Sequence, residues 1–245
     1  APEKRWEEDF FGEDYQTSFG RWDDASRQKT AEQLCALTGV LSGTVFDQCC
    51  GGGDLSLGFL RKNFSVFGVD QSGYMIDCAK SLCWDYEEKS FFFRDNAENF
   101  TLHDPVDLSI NWRTSLGYGG EKSAHNMLDS LEKSTKNKGK IVVDVRHLEN
   151  YQRSPSVSET PIRWKDRAAL LLRENTWSGQ TLLQNWRVLD GQETLFSKNT
   201  SCYHISRDEL SAWASEKNRR VRFLADTKAN KVTWHSPRVL AIFER

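Results

Sequence analysis

A carboxylate followed by a glycine-rich loop is the part of the sequence best suited to chemistry. Asp47 precedes Cys49, Gly51 and Gly53, and the glycines allow the backbone to turn tightly and to approach a ligand closely. A second carboxylate, Asp70, lies about 20 residues beyond the loop, a spacing at which an acidic side chain can hydrogen-bond a ribose. The pattern therefore predicts a site for a ligand that contains a nucleoside.

The charge beside the loop favours one class of nucleoside over another. NAD would place a pyrophosphate there, and a carboxylate 4 Å away would oppose it by roughly 4 kcal/mol at an effective dielectric constant of about 20. S-adenosylmethionine has no phosphate and carries an ammonium and a sulfonium cation, which a carboxylate attracts. Asp47 therefore favours S-adenosylmethionine. An NAD-type oxidoreductase and a catalytically silent S-adenosylmethionine-binding module are the alternatives.

Alternating strands and helices must bring the two carboxylates together. Apolar runs predict strands at 45–46, 65–70, 91–94, 106–111, 140–145, 221–225 and 238–243. Helices are predicted between them, including one at 121–136 that Gly139 ends. Such alternation predicts a mostly parallel sheet with its ligand at the carboxyl ends of the strands.

The order of these segments resembles the class I S-adenosylmethionine-dependent methyltransferases, and within them the small-molecule branch. The run from Asp47 to Gly53 is similar to the first motif of that family, Gly68-Val-Asp70-Gln-Ser to the second, and Asp95-Asn96-Ala97 to the acidic motif after the third strand. The likeness covers residues 26–150 and resumes at 203–245. It implies a Rossmann-like, seven-stranded, mostly parallel sheet with helices on both faces and an antiparallel last strand. It also implies transfer of a methyl group to an N or O atom of a small molecule.

Two residues depart from the family pattern. Cys49 replaces the usual first glycine, and a tight turn with a less strained backbone is expected there. Asn96 stands where the family commonly has Asp, so either Asn96 or Asp95 is expected to contact the adenine amino group. The resemblance, together with the aromatic character of the N-terminal segment, gives the following cofactor-binding candidates: Tyr15, Asp47, Cys49, Gly51, Gly53, Asp70, Gln71, Asp95, Asn96, Ala97 and Asn111.

Two segments lie outside the alternating pattern. Residues 1–25 are acidic and aromatic, with Trp6, Tyr15 and Trp22 among them. They predict either a lid whose rings cover a cationic ligand, at about 0.5–2 kcal/mol per cation–π contact, or an amphipathic helix packed on the core. Asp190-Gly191 between two β-rich runs predicts a hairpin. The predicted organisation is a lid at 1–25, a core at 26–150, an antiparallel β insertion at 151–203 after strand five, and the C-terminal part of the core at 204–245.

The insertion is expected to overhang the ligand edge of the sheet, where it would either recognise the substrate or form a dimer contact. The candidate substrate-binding residues are Trp112, Arg113, Arg146, Trp164, Trp186, Tyr203 and His204. The methyl group on a sulfonium is already activated, so orientation, which can supply up to about 7–11 kcal/mol, is the main requirement. A base is needed only if the acceptor arrives protonated. His147, just past strand five, and Tyr118 are the catalytic candidates.

Composition restricts the remaining function classes. A formal charge of -2 argues against a nucleic acid partner that depends on phosphate neutralisation. Asn111-Trp112 lacks the Pro-Pro-aromatic run of DNA amino-methyltransferases. The six cysteines show no paired CxxC spacing, which predicts free thiols in the cytoplasm and no metal site. No apolar run approaches the ~18 residues that a membrane span needs, and a homodimer is left open.

Overall fold

The structure is a computed structural model that describes Glu7, residues 10–20 and residues 22–245. Residues 1–6, 8, 9 and 21 of the predicted lid, Trp6 among them, lie outside the described residues. The helices are α1 (Glu13–Tyr15), α2 (Asp24–Thr38), α3 (Asp54–Arg61), α4 (Gly73–Leu82), α5 (Glu121–Lys133), α6 (Leu148–Tyr151) and α7 (Arg207–Glu216). None of the helices in the described part of the chain is long and apolar enough to cross a membrane.

Seven strands form the main sheet, in the spatial order β10-β11-β5-β4-β1-β2-β3. These are β1 (Thr44–Gln48), β2 (Ser65–Asp70), β3 (Ser90–Arg94), β4 (Val106–Asn111), β5 (Thr135–Arg146), β10 (Arg220–Leu224) and β11 (Arg238–Glu244). The first five are parallel, and β11 runs antiparallel to both of its neighbours. The mostly parallel sheet and the antiparallel last strand are confirmed.

Successive residues of a strand point to opposite faces of the sheet, so each buried strand supplies two cores. In β1, Val45 packs with α2, α3 and α4 on one face, whereas Phe46 packs with α5 and α7 on the other. In β11, Leu240 packs on the same face as Val45, and Ala241 packs on the same face as Phe46. Helices therefore cover both faces, as predicted, and the ligand edge lies where β1, β2 and β4 end.

The boundary between α5 and β5 differs from the prediction. The helix ends at Lys133, and β5 runs through Gly139 instead of starting after it. Thr135 lies just past the helix, and its hydroxyl donates to the carbonyl of Leu131 at 2.6 Å, which satisfies one of the carbonyls left free at the helix end. Gly139 lies within the strand, where a Cβ atom would come within 3.0 Å of the Asp107 carbonyl oxygen. The prediction that this glycine terminates a helix is wrong, because close strand approach requires it.

A second, four-stranded antiparallel sheet follows β5. Its strands are β6 (Val157–Trp164), β7 (Arg167–Ser178), β8 (Thr181–Asp190) and β9 (Glu193–Tyr203), paired in sequence order. The turn at Asp190-Gly191 joins β8 to β9, and Gly191 has φ 58. The predicted antiparallel insertion is confirmed, and it is larger than the hairpin signal indicated. Pro161 lies in the edge strand β6, a position that tolerates a missing N–H group.

The N-terminal segment lies between the two sheets. It contains α1 and a π-helical turn, Gln16–Gly20. Phe10 makes an edge-to-face contact with Trp186 of β8, with ring centroids 5.4 Å apart, and Phe19 lies 5.9 Å from Trp164 of β6. On the other side, Phe11 contacts Tyr118 at 5.2 Å. The segment and the second sheet together form a roof above the carboxyl ends of the main strands.

Candidate active site

The loop after β1 holds three residues with positive φ. They are Cys49 at 61, Gly51 at 53 and Gly53 at 83. The expectation that Cys49 gives a less strained backbone is wrong, because a side chain with a Cβ atom is disfavoured in the left-handed region. The loop is fixed by the Cys50 N–H group, which donates to the Val69 carbonyl at 3.0 Å. Strain of this kind persists where surrounding contacts hold the backbone in place.

A cleft of about 1100 Å³, counted out to its open mouth, lies between this loop and the roof. The predicted site residues that line it are Tyr15, Asp47, Cys49, Gly51, Asp70, Gln71, Asn96, Ala97, Trp112, Arg113 and Tyr118. Those that do not line it are Gly53, Asp95, Asn111, Arg146, His147, Trp164, Trp186, Tyr203 and His204. The structure thus brings the glycine loop and the ends of β2, β3 and β4 together at one cavity.

Asp47 is buried at the base of the cleft. The hydroxyl of Ser56, on α3, donates to its Oδ2 atom at 2.6 Å. Burial raises the pKa of the Asp47 carboxyl to about 7, against the hydrogen bond from Ser56, and the nearby charges of Asp70 and Asp54 raise it further. A cation bound in the cleft would favour the ionised form, because opposite charges attract strongly where water is excluded.

Asp70 ties the loop to the end of β2. Its Oδ2 atom accepts from the Gly51 N–H group at 3.0 Å, and its Oδ1 atom accepts from the Ser72 N–H group at 2.9 Å. Burial raises the pKa of Asp70, whereas these two hydrogen bonds act in the opposite direction. The carboxylate therefore stands at the rim of the loop, where a ribose would lie in the predicted arrangement.

The cleft is strongly acidic. Sequence reasoning missed Asp54, which lines the cleft and accepts from the Arg27 guanidinium at 2.7 Å. The sequence did contain a signal for Asp54 as a site residue, namely its position directly after the glycine-rich loop. Five acidic residues line the cavity, namely Glu7, Asp47, Asp54, Asp70 and Glu98, and Arg113 is the one basic residue among the lining residues that the structure describes. Such a cavity attracts cations and repels diphosphates.

The two candidates for reading the adenine edge are separated by the structure. Asn96 lines the cleft, and its Oδ1 atom accepts from the Glu98 N–H group at 2.9 Å. Asp95 is exposed and accepts from the Asn96 N–H group at 2.7 Å. Of the two residues, Asn96 is the one placed to meet a ligand.

Two other cofactor-binding candidates, Asn111 and Gly53, contact the protein itself and do not line the cleft. Asn111 is fully buried and donates to the Gln48 side chain at 2.9 Å, which supports the strand ends from below the cleft. Gly53 packs against α4, where a Cβ atom would lie 3.0 Å from the Cα atom of Ala79.

Two tyrosines stand at the roof side of the cleft. Burial raises the pKa of Tyr15 and raises that of Tyr118 well above its ordinary value, although the charge of Arg146 acts in the opposite direction on both. Both side chains therefore stay protonated phenols at neutral pH and offer a hydroxyl group for hydrogen bonding. Phe11 packs on both rings, at 4.8 Å from Tyr15 and 5.2 Å from Tyr118.

The wall after β4 is a strained turn held by an ion pair. Arg113 and Thr114 have φ values of 60 and 64. Asp144 accepts from the Arg113 N–H group at 3.0 Å through its Oδ2 atom, and its own carbonyl accepts from the Thr114 N–H group at 2.9 Å. The Arg238 guanidinium of β11 donates two hydrogen bonds of 2.7 Å to the carboxylate oxygens of Asp144. Sequence reasoning missed this pair, since no local signal joins residues so distant in the chain.

His147 is held by structural contacts. It is buried, its Nδ1 atom lies 3.0 Å from the Ser236 carbonyl oxygen, and its Nε2 atom lies 3.0 Å from a Glu149 carboxylate oxygen. No histidine is among the residues that line the cleft in the described part of the chain. A role for His147 as general base is therefore a prediction that the geometry does not favour.

The aromatic candidates of the second sheet support the roof. Trp164 is buried against Phe19 and Phe196. Trp186 contacts the N-terminal segment. The Tyr203 hydroxyl bonds Glu209 and accepts from the Gln180 amide at 2.7 Å. These residues shape the roof without lining the cleft itself.

A family model described as a methyltransferase domain matches residues 45–139. A search of curated proteins finds no match to the sequence. Solved structures, in contrast, match the chain along nearly all of its length. The CcbJ methyltransferase from Streptomyces caelestis is 14% identical with a TM-score of 0.80, and the match covers 96% of this chain and 97% of that chain.

Two further solved structures show the same fold. An S-adenosylmethionine-dependent methyltransferase from Clostridium acetobutylicum is 14% identical with a TM-score of 0.76, over 94% of this chain and 95% of that chain. CalS10 from Micromonospora echinaspora, solved with S-adenosylmethionine bound, is 16% identical with a TM-score of 0.71, over 92% of both chains. Residues 45–139 therefore match a methyltransferase domain, and the chain has the fold of these S-adenosylmethionine-dependent methyltransferases, which confirms the predicted fold.

Proposed function

We propose that the protein transfers the methyl group of S-adenosylmethionine to an N or O atom of a small molecule. One observation carries this proposal: the cleft beside the glycine loop is lined, among the described residues, by five acidic residues and one arginine. A sulfonium and an ammonium fit such a cavity, whereas the pyrophosphate of NAD would meet the carboxylates of Asp47, Asp54 and Asp70. The family model over residues 45–139 supports the same reading.

The lining residues divide into three groups along the cleft. In this proposal Asp70 would hydrogen-bond the ribose hydroxyls, and Asn96 and Ala97 would meet the adenine edge. Asp47 and the backbone of Cys49 and Gly51 would face the methionine portion. When bound, S-adenosylmethionine supplies a methyl carbon that is already activated by a positively charged sulfur.

Tyr15, Tyr118 and Trp112 line the cleft, and in this proposal they would form its acceptor end. An acceptor lone pair aimed along the C–S bond forms the new bond to the methyl carbon while the C–S electron pair returns to sulfur. The chain needs mainly to orient the acceptor, a contribution of up to about 7–11 kcal/mol. Because no histidine lines the cleft in the part of the chain that the structure describes, the simplest acceptor is an amine that arrives unprotonated, with the two phenols as hydrogen-bonding groups.

Other features support a small acceptor. CalS10 is an amino pentose methyltransferase, and another structural neighbour, KedS8, is a sugar N-methyltransferase. The roof above the cleft leaves room for a small molecule more readily than for a duplex. All six cysteines are free thiols, which supports the proposal that the protein works in the cytoplasm. A homodimer formed through the second sheet stays a prediction.

A thermal-shift experiment tests the cofactor class. S-adenosylhomocysteine at ~100 times its dissociation constant should add about 2.7 kcal/mol of stability, which raises the Tm by several degrees for a domain of this size. NADH at the same concentration should leave the Tm unchanged. Stabilisation by NADH alone would overturn the proposal. Label transfer from radioactive S-adenosylmethionine to small molecules in a cell extract then separates an enzyme from a silent binding module.

A further inference from the structure

Arg146 is a guanidinium without a carboxylate partner among the described residues. It ends β5, it is half-buried, and it stacks over the ring of Tyr151 with 4.6 Å between the Cζ atom and the ring centroid. It forms no ion pair with any residue that the structure describes. In contrast, Arg27, Arg219 and Arg238 each contact a carboxylate. A half-buried charge that has no counter-ion among the described residues is suited to pair with a ligand of opposite charge.

His204 is an unpartnered side chain beside it. The residue is 4% exposed, and within the described part of the chain neither ring nitrogen has a hydrogen-bond partner. Its ring lies between those of Tyr151, at 5.4 Å, and Trp177, at 5.3 Å. Burial, with the charges of Arg146 and Arg238, lowers the pKa of His204 to about 4. The imidazole is therefore neutral, with one N–H donor to offer.

Arg146 and His204 lie outside the residues that line the cleft, and Tyr118 is a lining residue close to Arg146. Tyr118 lines the cleft, and burial raises the pKa of its phenol while the nearby charge of Arg146 acts in the opposite direction. The Cys202 thiol lies 3.9 Å from the carbonyl oxygen of Leu116, two residues before Tyr118. His204 follows Cys202 by two residues at the end of the second sheet. Arg146 and His204 thus lie near Tyr118, and the buried Glu7 of the cleft lies close enough to influence the pKa of the same Cys202 thiol as Arg146.

We propose that Arg146 and His204 bind a carboxylate group of the methyl acceptor. A guanidinium forms two parallel hydrogen bonds with a carboxylate, and the imidazole N–H group supplies a third donor. Tyr151 and Trp177 would flank the carbon skeleton next to it. The inference rests on the proposed function and adds the chemical class of the acceptor, a small carboxylic acid whose reacting atom extends past Tyr118 toward the cofactor.

Charge balance favours a carboxylate over a phosphate. The subsite offers one permanent positive charge and one neutral donor, which matches a single negative charge. A phosphate monoester carries nearly two negative charges at neutral pH, and the excess charge would be buried without compensation. A neutral amide of the same shape would leave the guanidinium unpaired.

Matched probes test the inference without a known acceptor. Protein saturated with S-adenosylhomocysteine is titrated by calorimetry with phenylacetate, phenylacetamide and phenyl phosphate. Phenylacetate should bind about ten- to a hundredfold more tightly than phenylacetamide, the range for a hydrogen-bonded charge. Arg146→Met should abolish that preference. Arg153→Met is the matched control, since Arg153 stacks on exposed Trp234 at 5.1 Å, outside the cleft, and that variant should keep the preference.

The outcomes separate the two proposals. Equal binding of the acid and the amide, a preference that survives Arg146→Met, or tighter binding of phenyl phosphate would each overturn the carboxylate subsite. Failure of the wild-type protein to bind S-adenosylhomocysteine would instead count against the proposed function. If Arg146→Met does not fold, His204→Phe tests the subsite in its place. This variant keeps a ring between Tyr151 and Trp177 but removes the N–H donor. The preference for the acid should then fall about fivefold or more, as expected for the loss of one hydrogen bond, and an unchanged preference would refute the inference.

Discussion

Replacement of Asp47 by Asn should make the cofactor-free protein less sensitive to pH. The buried carboxyl has a pKa of about 7 against an ordinary value of 3.8. Between these values the folded chain keeps the proton and the unfolded chain releases it, so a rise in pH favours unfolding. The contribution is fully present below pH 3.8 and lost as the pH rises through 7. The amide that replaces the carboxyl would still accept from Ser56 but would never ionise.

The size of the effect follows from linkage. Each unit of pKa shift corresponds to about 1.36 kcal/mol, so this group should cost the wild-type protein about 2.5 kcal/mol of unfolding free energy between pH 5 and pH 8. The free energy of unfolding is measured by urea titration of both proteins at both pH values. The stability of Asp47→Asn relative to wild type should rise by that amount between the two.

Asp166→Asn is the control, because Asp166 is a fully exposed carboxylate in the turn between β6 and β7. Its stability relative to wild type should be the same at pH 5 and pH 8. Parallel curves for wild type and Asp47→Asn would refute the assignment of a buried, titrating carboxyl at the base of the cleft. Asp47→Asn should in addition bind S-adenosylmethionine more weakly, since the sulfonium and ammonium would lose a nearby negative charge.

Three other changes probe the cleft. Asp70→Ala should weaken S-adenosylhomocysteine binding by roughly 1.5–3 kcal/mol, the range for hydrogen bonds to a charged group; unchanged affinity in calorimetry would exclude it as the ribose ligand. Cys49→Gly should raise the unfolding free energy by about 1 kcal/mol through relief of left-handed strain, and a lower Tm would contradict that view. Asp144→Asn should lower the unfolding free energy by about 3 kcal/mol, because Arg238 loses its buried partner; a change below about 0.5 kcal/mol, typical of surface sites, would show that the pair does not hold the turn.

Local patterns were enough for the part of the site that lies in neighbouring residues. The run from Asp47 to Gly53 and the carboxylate at Asp70 belong to one strand-loop-helix-strand unit, so their spacing determines their geometry. The sheet was predictable for a similar reason, because buried strands and amphipathic helices differ in their apolar periodicity.

Contacts between distant residues were beyond such patterns. Asp144 and Arg238 are 94 residues apart, and the carbonyl that holds His147 belongs to Ser236, 89 residues away. A histidine just past a strand end looks the same in sequence whether it faces the cleft or the core. The conformation of Cys49 was also hidden, since its residue type argues against the left-handed backbone that the loop imposes.

The aromatic roof has a consequence for ligand exchange. Phe10 and Phe19 join the N-terminal segment to the second sheet, Phe11 joins it to Tyr118, and Lys165 adds an ion pair to Asp14 at 2.8 Å. S-adenosylhomocysteine formed in the proposed reaction would leave faster through the mouth of the cleft when these rings move apart. Where product release is slower than the chemical step, as in many enzymes with covered sites, the strength of the contacts within the roof would limit the turnover rate.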